Sequence, residues 1–299
     1  MVSYTIYSGC GGGYDIFGCI PIIDKTLNND IPIFINLSFT HKNFLDTFEN
    51  EEFIIKINNN LYLVDAKKYN NNKYNFKYFP EFYFSKEIKY PIYLILKECT
   101  INEIKQCYDI IILNKKINKI YLIDGGCDVF LNGTETDLAT PVEDMMHLYA
   151  INCLHIKNKF VCGIGLTCDC NSVILEELLD RLIFMKNNNI IIEDFQLNNN
   201  NECVLKYMDI VKKSDPVNTI VHSLVCARLN GYSDYDIPNY IKQRIKKTNV
   251  KIDNMLSRYI ICNFDKLYAS IKYLHLFDKN MTTNEIDNII TKFNDEYNK

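Results

Sequence analysis

Carboxylates placed directly after short apolar runs, with glycines beside them, are the residues in this chain best suited to chemistry. The fullest example is Ile120-Tyr-Leu-Ile-Asp124-Gly125-Gly126-Cys-Asp128-Val-Phe-Leu-Asn-Gly133-Thr-Glu135, which continues to Thr140-Pro141-Val-Glu143-Asp144. The apolar run stops at Asp124, and the two glycines allow a turn sharp enough to bring Asp128 back toward the same opening. Nothing local requires acids at Asp124, Asp128 or Glu135, so these three are the candidate catalytic carboxylates. Two carboxylates held close repel unless they share a proton or a cation. Asp124 and Asp128 are therefore the candidate metal ligands, and an oxygen-only set suits magnesium better than zinc.

Two further stretches repeat the layout. Gly9-Cys-Gly11-Gly12-Gly13-Tyr-Asp15 follows a β-rich segment, Val2–Ser8, and precedes a helical pattern. Strand, glycine turn and helix together can present backbone amides to a phosphate, which makes Gly11, Gly12 and Gly13 candidate ligand-binding residues. The spacing is not the dinucleotide fingerprint and no Walker lysine follows, so a plain tight turn is the competing reading. Asp15 either complements the helix dipole or holds a metal, a ribose hydroxyl or a substrate ammonium. The third stretch is Phe160–Leu166, then Thr167-Cys-Asp169-Cys-Asn171. Asp169, Gly125 and Gly126 complete an acidic crevice, and Arg258 or Arg228 is the cation available to a phosphate. Glu143 reads as the partner in a Thr140-Pro-Val-Glu capping box, with Asp144 facing elsewhere. His222 reads as a core or surface histidine rather than a catalyst.

These acids need a sheet to align them. Strand patterns cover Ile31–Leu37, Phe53–Ile57 with Leu61–Val64 as a hairpin, Ile92–Leu96, Ile120–Ile123, Phe160–Leu166 and 190–195. Helical patterns cover 101–116, a segment capped by Asn171 or Ser172 and ending at Met185, one opened by Asp215-Pro216 and ending at Gly231, Leu256–Phe277, and one capped by Thr282 and Glu285. Pro21 must sit early in the helix after the glycine turn or distort it. The recurring β–turn–α unit predicts an α/β protein with a mostly parallel sheet, sites at the carboxyl ends of its strands and a helix-rich part from about 202 to 299. No linker or composition shift divides residues 1–299, which read as one domain.

A 47% hydrophobic content argues against wholesale disorder, and 33 basic against 37 acidic residues make no broad nucleic-acid footprint. No segment has signal-peptide layout or membrane-span length. The 12 cysteines lack the spacing of a secreted framework, so reduced thiols in a cytoplasmic protein are the simplest reading. Cys162, Cys168 and Cys170 lack the paired Cys-x-x-Cys of a zinc knuckle. The Asn/Lys-rich runs, including Lys67–Lys77, read as solvent-exposed connections.

The glycine turn, the block from Ile123 to Glu135, Ala139–Asp144, the Gly163-Ile-Gly165 strand and the segment from Asn218 to Gly231 together resemble an uncharacterised family, domain of unknown function eleven-fifty-two, best known from archaeal sequences. Cys127 and the residue after Asp169 depart from its pattern. The resemblance implies a three-layer Rossmann-like α/β domain with these acids in motif positions, and no established reaction. The residues themselves point to an enzyme acting on a nucleotide or other small phosphorylated or ribosyl compound, a hydrolase or transferase. The alternatives are a non-catalytic binder or sensor of such a ligand and, more weakly, a cofactor-dependent oxidoreductase. The oligomeric state stays open.

Overall fold

The computed structural model describes residues 2–48, 51–69, 74, 76, 78–170, 172–214, 219–233 and 251–299. The chain begins with β1 (Tyr4–Gly9), the glycine turn, and a 3-10 helix, Asp15–Ile22, that runs into α1 (Ile23–Leu27). Pro21 lies inside the 3-10 segment, whose looser bonding tolerates a missing amide. Then come β2 (Ile31–Ser38), α2 (Lys42–Asp46), the hairpin β3 (Ile54–Lys56) and β4 (Leu61–Val64), α3 (Pro80–Ile88), β5 (Ile92–Leu96) and α4 (Ile101–Ile112). The second half supplies β6 (Ile117–Asp124), α5 (Val142–Asn152), β7 (Asn158–Ile164), α6 (Leu175–Asn187), β8 (Ile191–Gln196), α7 (Glu202–Lys213), α8 (Ile220–Leu229) and β9 (Arg258–Asn263). Helices Phe264–Ser270 and Thr283–Tyr297 close the chain.

The described strands form one mixed sheet in the order β3-β4-β5-β2-β1-β6-β7-β9-β8. The inner five, β5, β2, β1, β6 and β7, are parallel; the hairpin on one side and β9 and β8 on the other add antiparallel pairs. Central β1 is buried from Thr5 onward, as a strand covered on both faces must be. Successive residues of it reach opposite sides: the Tyr7 hydroxyl meets Thr26 of α1 at 2.6 Å, and Ser8 meets Tyr108 of α4 at 2.6 Å.

Chain order makes one strand end special. From β1 the chain steps outward to β2 and β5, then crosses back to β6 and β7 on the other side of β1. The direction of winding therefore reverses between β1 and β6, where Gly9 lies opposite Ile123. Connections leave that point in opposite directions and open a crevice outside the carboxyl ends of the strands.

Two sequence expectations change. The segment from Leu256 to Phe277 is not one helix: Arg258–Asn263 is a strand inserted between β7 and β8, and only Phe264–Ser270 is helical there. Its core, Tyr259-Ile-Ile-Cys262, is buried throughout, and a continuous apolar run lacks the alternation that marks a half-exposed strand. Helix α6 begins at Leu175 after Ile174, without a side-chain cap, so Ser172 is not its cap; Asn171 lies outside the described residues. The Asp215-Pro216 helix start and most of the 67–77 connection also fall outside them. The Thr282–Glu285 box does form, with each partner bonding the other's backbone amide. All twelve cysteines are free, and among the described residues no helix is long and apolar enough to cross a membrane.

Candidate functional site

Asp124 is the last residue of β6 and Asp15 the first after the glycine turn that follows β1, so both open at the winding reversal. A third acid joins them from α5. Carboxylate oxygens of Asp15, Asp124 and Asp144 all lie within 4.8 Å of one another. Asp124 and Asp144 are 3% and 2% exposed, and Asp124 Oδ2 and Asp144 Oδ1 have no hydrogen-bond partner. Buried acceptors without donors are costly, and an isolated buried charge more so.

Asp144 is the residue the sequence reading set aside, and the cause is the helix start. The capping box expected at Thr140 and Glu143 does not form: Pro141 is the N-cap residue and makes no side-chain bond. Thr140 instead donates its hydroxyl to Asp128 Oδ2 at 3.4 Å. Helix α5 starts one residue later than the box requires, which turns Asp144 inward against Gly11. A Cβ at Gly11 would stand 2.6 Å from Asp144 Oδ2, so only glycine leaves room for this carboxylate.

Asp128 and Asp169 complete the group. Asp128 opens a short 3-10 turn and is bonded by the amides of Val129 and Thr140 as well as its own. Asp169, in the turn after β7, accepts the Cys127 amide at 2.9 Å, and its Oδ2 lies 2.4 Å from where a Gly126 Cβ would stand. Burial raises the proton affinity of all five acids. For Asp15, Asp124 and Asp144 the next cause is the negative charge of Asp128, and all three are held well above the ordinary carboxylate range. Asp169 is pushed up to about 7, again by burial first and Asp128 second.

The glycine turn is clamped from behind by buried side chains, among them His222, the core histidine that the sequence suggests. His147 of α5 lies 3.0 Å from the Cys10 carbonyl through Nδ1 and 2.6 Å from the Tyr108 hydroxyl through Nε2. His222 of α8 lies 2.9 Å from the Tyr14 carbonyl through Nε2 and 2.7 Å from the Tyr207 hydroxyl through Nδ1. A carbonyl can only accept, so each imidazole donates to the turn, and a neutral ring leaves its other nitrogen free to accept from the tyrosine hydroxyl. Burial agrees, lowering both to about 4. Asn36 on β2 donates to the Gly13 carbonyl at 2.9 Å and to the fully buried Glu81 at 2.7 Å.

With its carbonyls held back, the turn directs amides inward, and their acceptor is already present. Gly11, Gly12 and Gly125 bond the Asp15 carboxylate. The amides of Gly11 and Gly12 expected to receive a phosphate thus meet the chain's own acid; the Gly13 residue, at φ 60°, shapes the turn.

Two other expected site residues already have partners of their own. Glu135 accepts from the amides of Asn132, Gly133 and Thr134 at 3.0 to 3.1 Å, so a three-residue nest binds its carboxylate in its own loop. Arg258 is on a strand, not a helix, and grips Asp194 with two bonds of 2.8 and 2.7 Å. Its guanidinium is thus already paired with an acid of β8. Arg228 reaches Asn254.

A family model described as "Protein of unknown function (DUF1152)" matches residues 45–293. The match contains the block from Asp124 to Asp144, Asp169 and His222, while the glycine turn and Asp15 precede it. No curated protein and no solved structure matches the chain.

Proposed function

For a chain that belongs to this family, whose description carries no activity, we propose a magnesium-dependent enzyme acting on a nucleotide or other small phosphorylated or ribosyl compound, as a hydrolase or transferase. The observation that carries the reading is the pair of buried, unpartnered oxygens on Asp124 and Asp144 beside Asp15. Three acids in that space call for protons or a cation, and an all-carboxylate donor set favours a hard divalent ion. Asp15, Asp124 and Asp144 would hold it. When bound, the ion supplies charge stabilisation to a phosphoryl or hydroxyl oxygen.

The chain's own residues supply the rest. Asp128 lies beside Asp124 and outside the three-oxygen set, where it can take a proton from water or a substrate hydroxyl. The Thr140 hydroxyl and three amides orient it for that role. Asp169, half-buried at the rim, positions the 126–127 backbone through the Cys127 amide. The clamps by His147, His222 and Asn36 keep the turn rigid without carrying charge into the crevice. We read the fold as a three-layer Rossmann-like domain, supported by the winding reversal at β1 and β6 and by the opposite-facing contacts of Tyr7 and Ser8. A cytoplasmic location fits twelve free thiols.

Calorimetric titration with magnesium chloride, followed by a turnover screen over nucleotides and sugar phosphates, tests the reading. Magnesium binding that is lost in Asp124→Asn, with turnover lost but binding kept in Asp128→Asn, supports an enzyme. Binding without turnover of any such compound indicates a sensor. If Asp124→Asn and Asp128→Asn alter neither binding nor stability, the site is not functional.

A further inference from the structure

We infer that Lys97 binds the phosphate of the ligand held at the carboxylate crevice, which makes the substrate a phosphate ester rather than an uncharged ribosyl compound; this rests on the metal-site reading above. The need for a cation follows from charge. Asp15, Asp124, Asp128, Asp144 and Asp169 act on one another as one buried acidic cluster, and a single divalent ion leaves the set negative. An anionic ligand requires a further positive group that is not already paired. Arg258 is committed to Asp194 and Arg228 to Asn254.

Lys97 meets the requirement by position. It directly follows β5, and its amide donates to the Ser38 carbonyl at the end of β2, which places it on the crevice edge of the sheet. Its Nζ lies 4.8 Å over the Phe39 ring, and that ring comes within 3.2 Å of where a Gly12 Cβ would stand. The aromatic face thus holds the ammonium beside the glycine turn. Among the described residues Lys97 makes no ion pair, although Glu98 and Glu143 line the same cavity of about 310 Å3. Glu143 of this lining directly precedes Asp144 in the first turn of α5, which ties the cavity to the acidic cluster. Thr282, Thr283 and Asn284 line it as well and offer further polar contacts. A volume of about 300 Å3 is at the small end of ligand pockets and suits a phosphorylated metabolite.

The test is calorimetry on the full chain at pH 7.5, first with magnesium chloride, then with AMP, inorganic phosphate and adenosine at saturating magnesium. Lys97→Met should weaken AMP and phosphate at least tenfold and leave adenosine unchanged. Its magnesium affinity should stay equal or rise, because a neighbouring positive charge has gone; general damage to the fold would lower it. Lys97→Arg should keep most of the phosphate affinity. Wild-type affinity for AMP and phosphate in Lys97→Met, with magnesium binding intact, would overturn the inference. So would a wild-type protein that binds magnesium but neither phosphate probe. A wild-type protein that takes up no magnesium overturns the metal reading, and with it this one.

Discussion

Asp124 and Asp144 arrive from a strand end and a helix first turn to bring carboxylate oxygens within 4.8 Å, each leaving one oxygen buried and unpartnered. In the absence of a cation this pair opposes folding, because burial and mutual repulsion both penalise charge. Asp144→Asn keeps the shape and removes the charge. We expect the metal-free variant to melt about 1–2 °C higher than the wild type for each kcal/mol of repulsion relieved. The same variant should lose magnesium binding and the stabilisation that magnesium gives the wild type. Melting curves with EDTA and with magnesium chloride check both. A variant that melts lower in EDTA and still gains from magnesium would show Asp144 to be structural.

Glu81 gives a pH signature separate from the crevice acids. Burial raises it to about 7, against 4.5 for an exposed glutamate, with the Asn36 bond acting in the opposite sense. The folded state therefore binds more protons than the unfolded one between those values. Its stabilising contribution is full below about pH 4.5 and is lost as pH rises through about 7. The total is on the order of 3 kcal/mol for a shift of this size. Glu81→Gln cannot titrate, so its denaturation midpoint should fall less than the wild type's between pH 5 and 8. Parallel pH profiles for the two proteins would refute the assignment.

How far the sequence disclosed this site depends on what each residue needed. Asp124, Asp128 and Asp169 were visible because an acid in the turn after a strand has few local explanations, and the structure brings them within electrostatic reach of one another. Glu135 satisfies the same rule, yet Gly133 at φ 100° folds three amides around it, a local use that spacing does not reveal. Asp144 was hidden by a one-residue shift in the start of α5, since Thr140 bonds Asp128 rather than a helix amide. His147, Glu81 and Lys97 become meaningful only when distant elements pack, as with the 137 positions between His147 and Cys10. Strand β9 was read as helix because burial on both faces erased its periodicity, and Arg258 moved with it.

The histidine clamps predict a loss that depends on hydrogen bonding rather than charge. His222→Leu leaves the Tyr14 carbonyl and the Tyr207 hydroxyl buried without this partner, a cost of about 1–3 kcal/mol. Gln at this position can donate to one and accept from the other, so His222→Gln should recover part of that loss. The imidazole is lowered to about 4 from 6.5, so the unfolded chain binds the extra proton between these values. Its contribution is intact above pH 6.5 and disappears as pH falls through about 4, opposite in sign to Glu81. Urea denaturation at pH 7 and pH 5 should show a shallower acid loss in His222→Gln than in the wild type. Equal loss in both would mean that His222 does not titrate on unfolding.

Gly11→Ala separates the shape of the crevice from its charge. The added methyl would stand 2.6 Å from Asp144 Oδ2 and 3.0 Å from Oδ1, closer than a carbon tolerates. Asp144 must then swing away from Asp15 and Asp124, in a region packed too tightly to absorb the move without strain. We expect magnesium affinity to fall at least tenfold while the fold survives with a loss of about 1–3 kcal/mol. Combining Gly11→Ala with Asp144→Gly opens space for the methyl and should restore stability but not metal binding. Calorimetry and urea denaturation of the single and double variants measure the two effects independently. Full magnesium affinity in Gly11→Ala would show that the ion does not depend on Asp144 in the position it occupies here.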